Sequence, residues 1–181
     1  PLPVRIGQEV QALSRRRRLP AGVSETPRLA RIAPGEIGAI EQLILRSKAR
    51  WGYEAEMMAV MANVLRLDPD AIADGRAIAA WIGDAPAGVV QVSAPYEDAR
   101  GTAVQLDLLF IGPGAIGTGL GRTLYDWAAE QARAAGAVRL DILSDPNAAP
   151  FYTAMGAVHV EDRPSKVIPG RVLPWLEHRL D

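Results

Sequence analysis

The chain of 181 residues has no cysteine. That excludes disulfides, Cys-ligated zinc and thiol nucleophiles, and it fits a reducing compartment. Only two histidines occur, His159 and His178, too few for a His-rich metal site, so no metal is expected. No apolar run approaches the ~20 residues of a membrane-spanning helix. The arginines near the N-terminus are followed by no apolar run, so they do not read as a secretory signal, and a cytoplasmic protein is expected. The formal net charge is −1, which makes no overall electrostatic case for nucleic acid or an anionic membrane as a partner. What remains is one domain, or one domain with an arm, long enough to bury a core without staples.

Residues 1–27 differ from the rest. They hold Pro1, Pro3, Pro20 and Pro27 and the run Arg15 to Arg18, which reads as a solvated arm or a basic contact to a partner. The domain is expected over 28–181. An alternating strand over 28–33 leads to Pro34, which opens a helix with Ile37, Ile40, Leu43 and Ile44 at helical spacing. A second helix carries Met57, Val60, Met61, Val64 and Leu65 on one face, and Asp68-Pro69-Asp70 is read as its end. Strands over 76–82 and 87–93 flank Gly83-Asp84 as a hairpin. A polar loop over 95–101 precedes a third strand over 102–111. The next helix has Leu120, Leu124, Trp127, Ala128, Ala132 and Ala135 as one apolar stripe and stops at Gly136. A strand over 138–143 follows, parallel to 102–111 through a right-handed crossover. Asn147 reads as the N-cap of a short helix ending at Gly156, and 158–160 and 172–180 as closing strands. The order βααβββαβαβ(β) predicts an α+β fold, a central mixed sheet of about 6–7 strands with helices on both faces.

One stretch organises this pattern. Leu108 to Ile111 is a dense apolar run, Gly112 to Gly121 a glycine-rich turn, and the amphipathic helix follows at once. A strand, a glycine loop and a helix start together make a phosphate-binding site, because the helix start presents unpaired N–H groups and the positive end of its dipole. Glycine at 117, 119 and 121 lets the backbone approach a ligand closely. Residues 112–117 formally fit G-x-G-x-x-G, but Asp141 sits inside its strand and repeated βαβ units are lacking, which argues against a nicotinamide fold. No Lys-Ser/Thr pair follows Gly119 as in a P-loop, and no G-x-S-x-G elbow exists. A tight turn that binds nothing stays as the plain alternative.

The two stretches LFIGPGAIGTGLGRTL and NAAPFYTAMGA together resemble the GNAT superfamily of acetyl-CoA-dependent N-acetyltransferases. Ile116-Gly117-Thr118-Gly119-Leu120-Gly121 looks like its acyl-CoA loop, with Ile116 where Arg or Gln is usual, and Asn147 through Ala157 like its second motif. SKARWGY (47–53) and the tail PSKVIPGRVLPWLE look like a bacterial branch. The resemblance implies an acyltransferase using acetyl-CoA, with the amides of Ile116 to Gly121 and Arg122 holding the pyrophosphate. It implies that Leu109, Phe110 and Ile111 pair their backbone with pantetheine in a slot between diverging parallel strands, with the N–H near Ile111 polarising the thioester. It implies that Asn147 hydrogen-bonds the pantetheine arm and that Tyr152 donates to the departing thiolate. Phe151 reads as core.

Transfer to an amine needs a base, since alkyl ammonium groups lose a proton only near pH ~10. Asp107, with Gln105 two residues before it on the same face, is the candidate, and an exposed strand carboxylate is its plain alternative. Asp141 is a weaker candidate. Trp51, Tyr53 and Met57 either line the acceptor pocket or fill the core. Lys48 and Arg50 hint at an anionic group on the acceptor. Ser165, Pro169, Gly170 and Arg171 form a loop that either closes over the acceptor or makes a dimer contact. The acceptor is expected to be a small-molecule or peptide amine. A non-catalytic acyl-CoA-binding module on the same fold is the runner-up. A C-terminal strand at a sheet edge invites a homodimer.

Overall fold

The computed structural model describes residues 26–180, so the arm expected over 1–27, with Arg15 to Arg18, lies outside the described residues apart from Thr26 and Pro27. Strand β1 (Arg28–Arg31) is followed by a 3-10 turn at Pro34–Glu36 and helix α1 (Ile37–Ala49). Helices α2 (Ala55–Val64) and α3 (Pro69–Asp74) come next. Then come strands β2 (Ala77–Ile82), β3 (Ala85–Val92), β4 (Tyr96–Asp98) and β5 (Gly101–Ile111). Helix α4 (Leu120–Ala134), strand β6 (Arg139–Leu143), helix α5 (Ala149–Ala154) and strands β7 (Val158–Pro164) and β8 (Val172–Arg179) complete the domain.

Eight strands form one mixed sheet in the order β1-β2-β3-β5-β6-β8-β7, with β4 paired to β5. Among the described residues only β5 and β6 run parallel. Helices cover both faces, as expected from the apolar stripes. One core joins Leu120, Leu124, Tyr125 and Ala128 of α4 and Tyr152 of α5 to Val90, Leu106, Leu140 and Ile142 of the sheet. The other joins Ile40, Leu43 and Ile44 of α1 and Ala71 of α3 to Ala79, Val89 and Leu108.

Four local expectations change. Asp68-Pro69 does not merely end α2: the Asp68 side chain accepts the Asp70 N–H at 2.9 Å and caps α3, with Pro69 in the first turn, where its missing N–H costs nothing. The 95–101 loop contains the short strand β4, registered from Tyr96 opposite Ala103 to Asp98 opposite Gly101. Asn147 is not the N-cap of α5, since Ala148 holds that position without a side-chain bond. The C-terminal strand β8 is interior, paired on both sides by β6 and β7, so the edge at that end of the sheet belongs to β7.

Candidate active site

Parallel pairing of β5 with β6 runs from Ala103 opposite Arg139 to Leu106 opposite Ile142 and stops there, while β5 continues to Ile111. The two strands therefore part at their C-terminal ends. On its other side β5 stays paired to β3, with Ile111 opposite Gly88. Gly112 donates its N–H to Ala87 O at 2.8 Å. Backbone groups alternate between the two neighbours of a strand, so Leu109 and Ile111 turn theirs to the side that β6 has left.

A β-bulge sits beside this opening. Gln91 lies opposite Leu108 and Val92 opposite Leu106, so Asp107 is the extra residue of β5. A bulge breaks the two-residue alternation and re-aims side chains. Leu106 accordingly enters the α4 core and Leu108 the α1 core, although strict alternation puts both on one face. Asp107 itself is exposed to the space in front of the strand. Loss of hydration among the surrounding walls pushes its carboxyl up to about 6, against smaller opposing effects of Gln91 and Arg76.

A 3-10 turn at Pro113–Ala115 follows β5, then Ile116 in extended geometry. Gly117 and Gly119 have φ of +81° and +90°, and no atom lies within 4 Å of a Cβ built on either. Only glycine takes that backbone readily, so these two positions shape the turn. Thr118 bonds back to Ala115 O through its hydroxyl at 2.7 Å, which tightens it. Leu120 is buried under the helix. Among the described residues, the backbone N–H groups of Gly117, Gly119, Leu120, Gly121 and Arg122 meet no acceptor. They form a nest of donors at the positive end of a 15-residue helix. Arg122 is exposed beside them, with no ion pair to a described residue. The loop has the room, the donors and the charge for a diphosphate.

A cavity of about 660 Å³ runs from this loop past the parted strands to α1 and α2. Its walls include Leu109, Phe110, Ile111, Ile116, Gly117, Gly119, Gly121, Arg122, Asn147 and Tyr152. Tyr152 is buried, its ring centroid 6.0 Å from Tyr125 and 5.2 Å from Phe151. Burial holds its phenol well above the ordinary tyrosine range, so it keeps its proton. Its hydroxyl makes no hydrogen bond to a described residue.

The far end of the cavity carries a cluster that sequence reading largely missed. Asp145, just beyond β6, accepts a hydrogen bond from Lys48 on Oδ2. The same oxygen accepts from the Tyr53 hydroxyl at 2.6 Å and from Arg171 at 2.9 Å, and the Asn147 N–H donates to Oδ1 at 2.9 Å. Asn147 Nδ2 and Arg171 each reach the Tyr53 hydroxyl at 3.0 Å. Burial alone would raise the Asp145 carboxyl; the bonds from Lys48 and Tyr53, the Lys48 charge and the Asn147 amide outweigh it and hold the group at about 2. Burial lowers the Lys48 ammonium, against the pull of Asp145. Asp145 had one sequence signal: it is a carboxylate directly after a parallel strand, at the strand end where α/β ligands bind.

Trp51 lines the cavity with 44% exposure. Tyr53 takes part through Asp145 and Asn147. Met57 lies away from the walls, where Met61 and Val64 of the same helix and Leu65 just after it stand instead. The 165–171 loop reaches over this end: Ser165, Val167, Ile168 and Arg171 line it. Asp141 is excluded as a base. It is fully buried, hydrogen-bonded by Tyr96 and Arg139, and outside the cavity.

The model of the acetyltransferase (GNAT) family matches residues 39–157, from α1 to the residue before β7. The chain belongs to the GNAT acetyltransferase family. Solved structures share the fold. A GCN5-related N-acetyltransferase from Rhodopseudomonas palustris has 21% identity and a TM-score of 0.66, over 87% of this chain and 98% of that one. The PaiA N-acetyltransferase from Thermoplasma acidophilum, solved with coenzyme A, has 12% identity and a TM-score of 0.63, over 85% and 99%. YncA from Salmonella typhimurium, solved with acetyl-CoA, has 16% identity and a TM-score of 0.60, over 86% and 95%. No curated protein matches the chain. Among the described residues no helix is long and apolar enough to cross a membrane.

Proposed function

We propose that the chain is an N-acetyltransferase that moves an acetyl group from acetyl-CoA to a primary amine of a small molecule or peptide, by direct attack in a ternary complex. The observation that carries this reading is the gap between β5 and β6 beside a helix start whose N–H groups lack acceptors. Two of the structures that share the fold hold coenzyme A or acetyl-CoA, which supports it.

The amides of Ile116, Gly117 and Gly119 to Gly121, with Arg122, hold the pyrophosphate, while the Thr118 N–H is turned back to Ala115 O. Leu109 and Ile111 offer a strand edge to the pantetheine, whereas the Phe110 backbone between them is turned to β3, and Asn147 approaches the pantetheine from the turn after β6. Bound acetyl-CoA supplies an activated acyl group. Asp107 takes the proton that the amine must lose, directly or through water; near pH 6 its carboxyl is half ionised, which suits a base at neutral pH. The Ile111 N–H stabilises charge on the acyl oxygen. Tyr152 gives its proton to the sulfur as the C–S bond breaks, and its neutral, unpartnered hydroxyl fits a donor. Trp51 and Tyr53 stand at the amine side.

Two measurements test the proposal. Coenzyme A binding by calorimetry should be saturable and weaken when Gly119 is replaced. Free-thiol release from acetyl-CoA should rise with some members of a panel of amines and peptides. Tight coenzyme A binding with no release on any amine would favour a non-catalytic acyl-CoA-binding module.

A further inference from the structure

The charges at the acceptor end of the cavity do not balance. Lys48 and Arg171 both line it, and Lys48 is only 7% exposed and the Arg171 side chain 15%. Asp145 faces both, yet its Oδ2 already accepts three donors and its Oδ1 a fourth. One saturated carboxylate against two cations, both largely shielded from water, leaves an excess positive charge at this end of the cavity. Arg50 adds a third cation on the same wall. A substrate ammonium would find no free carboxylate here; the unsaturated one, Asp107, lies on β5.

Arg171 is also held for recognition. Among the described residues it spends only one terminal nitrogen, bonded to Asp145 and to the Tyr53 hydroxyl. Its Nε and other terminal nitrogen meet no described acceptor and are not sealed from solvent. The loop that carries it is tied across its base. Ser165 N–H donates to Arg171 O at 2.7 Å, Arg171 N–H donates to Ile168 O at 3.2 Å, and the Ser165 hydroxyl accepts from Ile168 N–H at 3.0 Å. A guanidinium with unspent Nε–H and Nη1–H donors, fixed by its backbone and backed by a buried ammonium, is built to take an oxyanion through single charge-assisted hydrogen bonds. Met61, Val64, Val167 and Ile168 give the rest of this end an apolar lining.

We infer that the acceptor is an amino carboxylate with an apolar body: its carboxylate docks on Arg171 beside Lys48, and its amine points toward Asp107. This inference rests on the acetyltransferase reading. It makes Arg171 a specificity-determining residue, while Asp145 and Tyr53 position it.

The test uses the whole chain and matched acceptors: apolar α-amino acids, their carboxamides, their decarboxylated amines and their phosphonate analogues. Thiol release from acetyl-CoA gives kcat/KM for each, and calorimetry with coenzyme A present gives affinity where turnover is slow. The carboxylate form should exceed its carboxamide and its amine by at least tenfold. Arg171→Gln should erase most of that preference through KM, leaving coenzyme A affinity unchanged. Arg171→Lys should keep part of it. Equal use or equal binding of carboxylate and carboxamide by the unmodified chain overturns the inference, and needs no variant to fold. A phosphonate preferred over the carboxylate also overturns it, in favour of a phosphorylated acceptor. Failure of coenzyme A itself to bind would instead remove the acetyltransferase reading, so the two failures are distinguishable.

Discussion

The hydroxyl of Tyr53 lies 2.6 Å from Asp145 Oδ2, across 92 positions of sequence. This contact ties the turn after α1 to the end of β6, and Lys48 and Arg171 converge on the same oxygen. Removing the carboxylate would leave a buried ammonium and a half-buried guanidinium unpaired. Asp145→Ala should therefore cost on the order of 3–5 kcal/mol in urea unfolding at neutral pH. The pH dependence has a definite sign. The Asp145 carboxyl sits at about 2 in the folded chain against an ordinary 3.8. A depressed acid stabilises above its unfolded pKa and loses that contribution as pH falls through the folded one. The difference between wild type and Asp145→Asn should shrink between about pH 4 and about pH 2, a change worth roughly 2 kcal/mol. A difference that stays constant over that window would contradict the pairing.

Tyr152→Phe isolates one proton. The Tyr152 hydroxyl has no hydrogen bond to a described residue, so its loss should leave stability nearly unchanged. Turnover should fall by ~10²-fold, the usual size of a lost general acid. Coenzyme A affinity, read by calorimetry, should not move. Unchanged turnover would remove the tyrosine from the chemistry.

Gly119→Ala and Gly117→Ala place a Cβ on left-handed backbone at the donor nest. Each should lower stability by ~1 kcal/mol through backbone strain and weaken coenzyme A at least tenfold. Gly114→Ala is the control. Nothing lies within 4 Å of its Cβ and its φ is not in the left-handed range, so both quantities should hold.

Asp107 sets the acid limb of the rate. A base works only when ionised, and this carboxyl is raised to about 6. The kcat/KM of the free enzyme should rise with pH through about 6 and level off above it. Asp107→Asn should lower kcat/KM and abolish that limb. A limb that persists in the variant would assign the base elsewhere.

Particular residues show how far sequence reading reached. The glycine turn, the stripe of α4 and the parallel partnership of β5 and β6 all depend on neighbours a few positions away or on simple periodicity, and they were legible. Alternation put Leu106 and Leu108 on one face, and the bulge at Asp107 sends them into different cores. Asn147 has the chemistry of a cap, yet its side chain turns to Tyr53, because a phenol from 94 residues away lies within reach. Asp141 and Asp145 are four positions apart and look alike in sequence. One is sealed within the sheet beside Arg139 and Tyr96 and the other opens on the cavity.

The sequence by itself determined the order of elements, the glycine loop at the start of α4 and the amphipathic faces, because backbone preference and hydrophobic period act over a few residues. Tertiary structure alone decided where β5 and β6 part and which carboxylate faces which cation. Lys48 with Tyr53, Asp145, and Arg171 come from three separate segments. Their charges and hydration depend on desolvation and on distances of a few ångströms, which exist only once the sheet has brought those segments together.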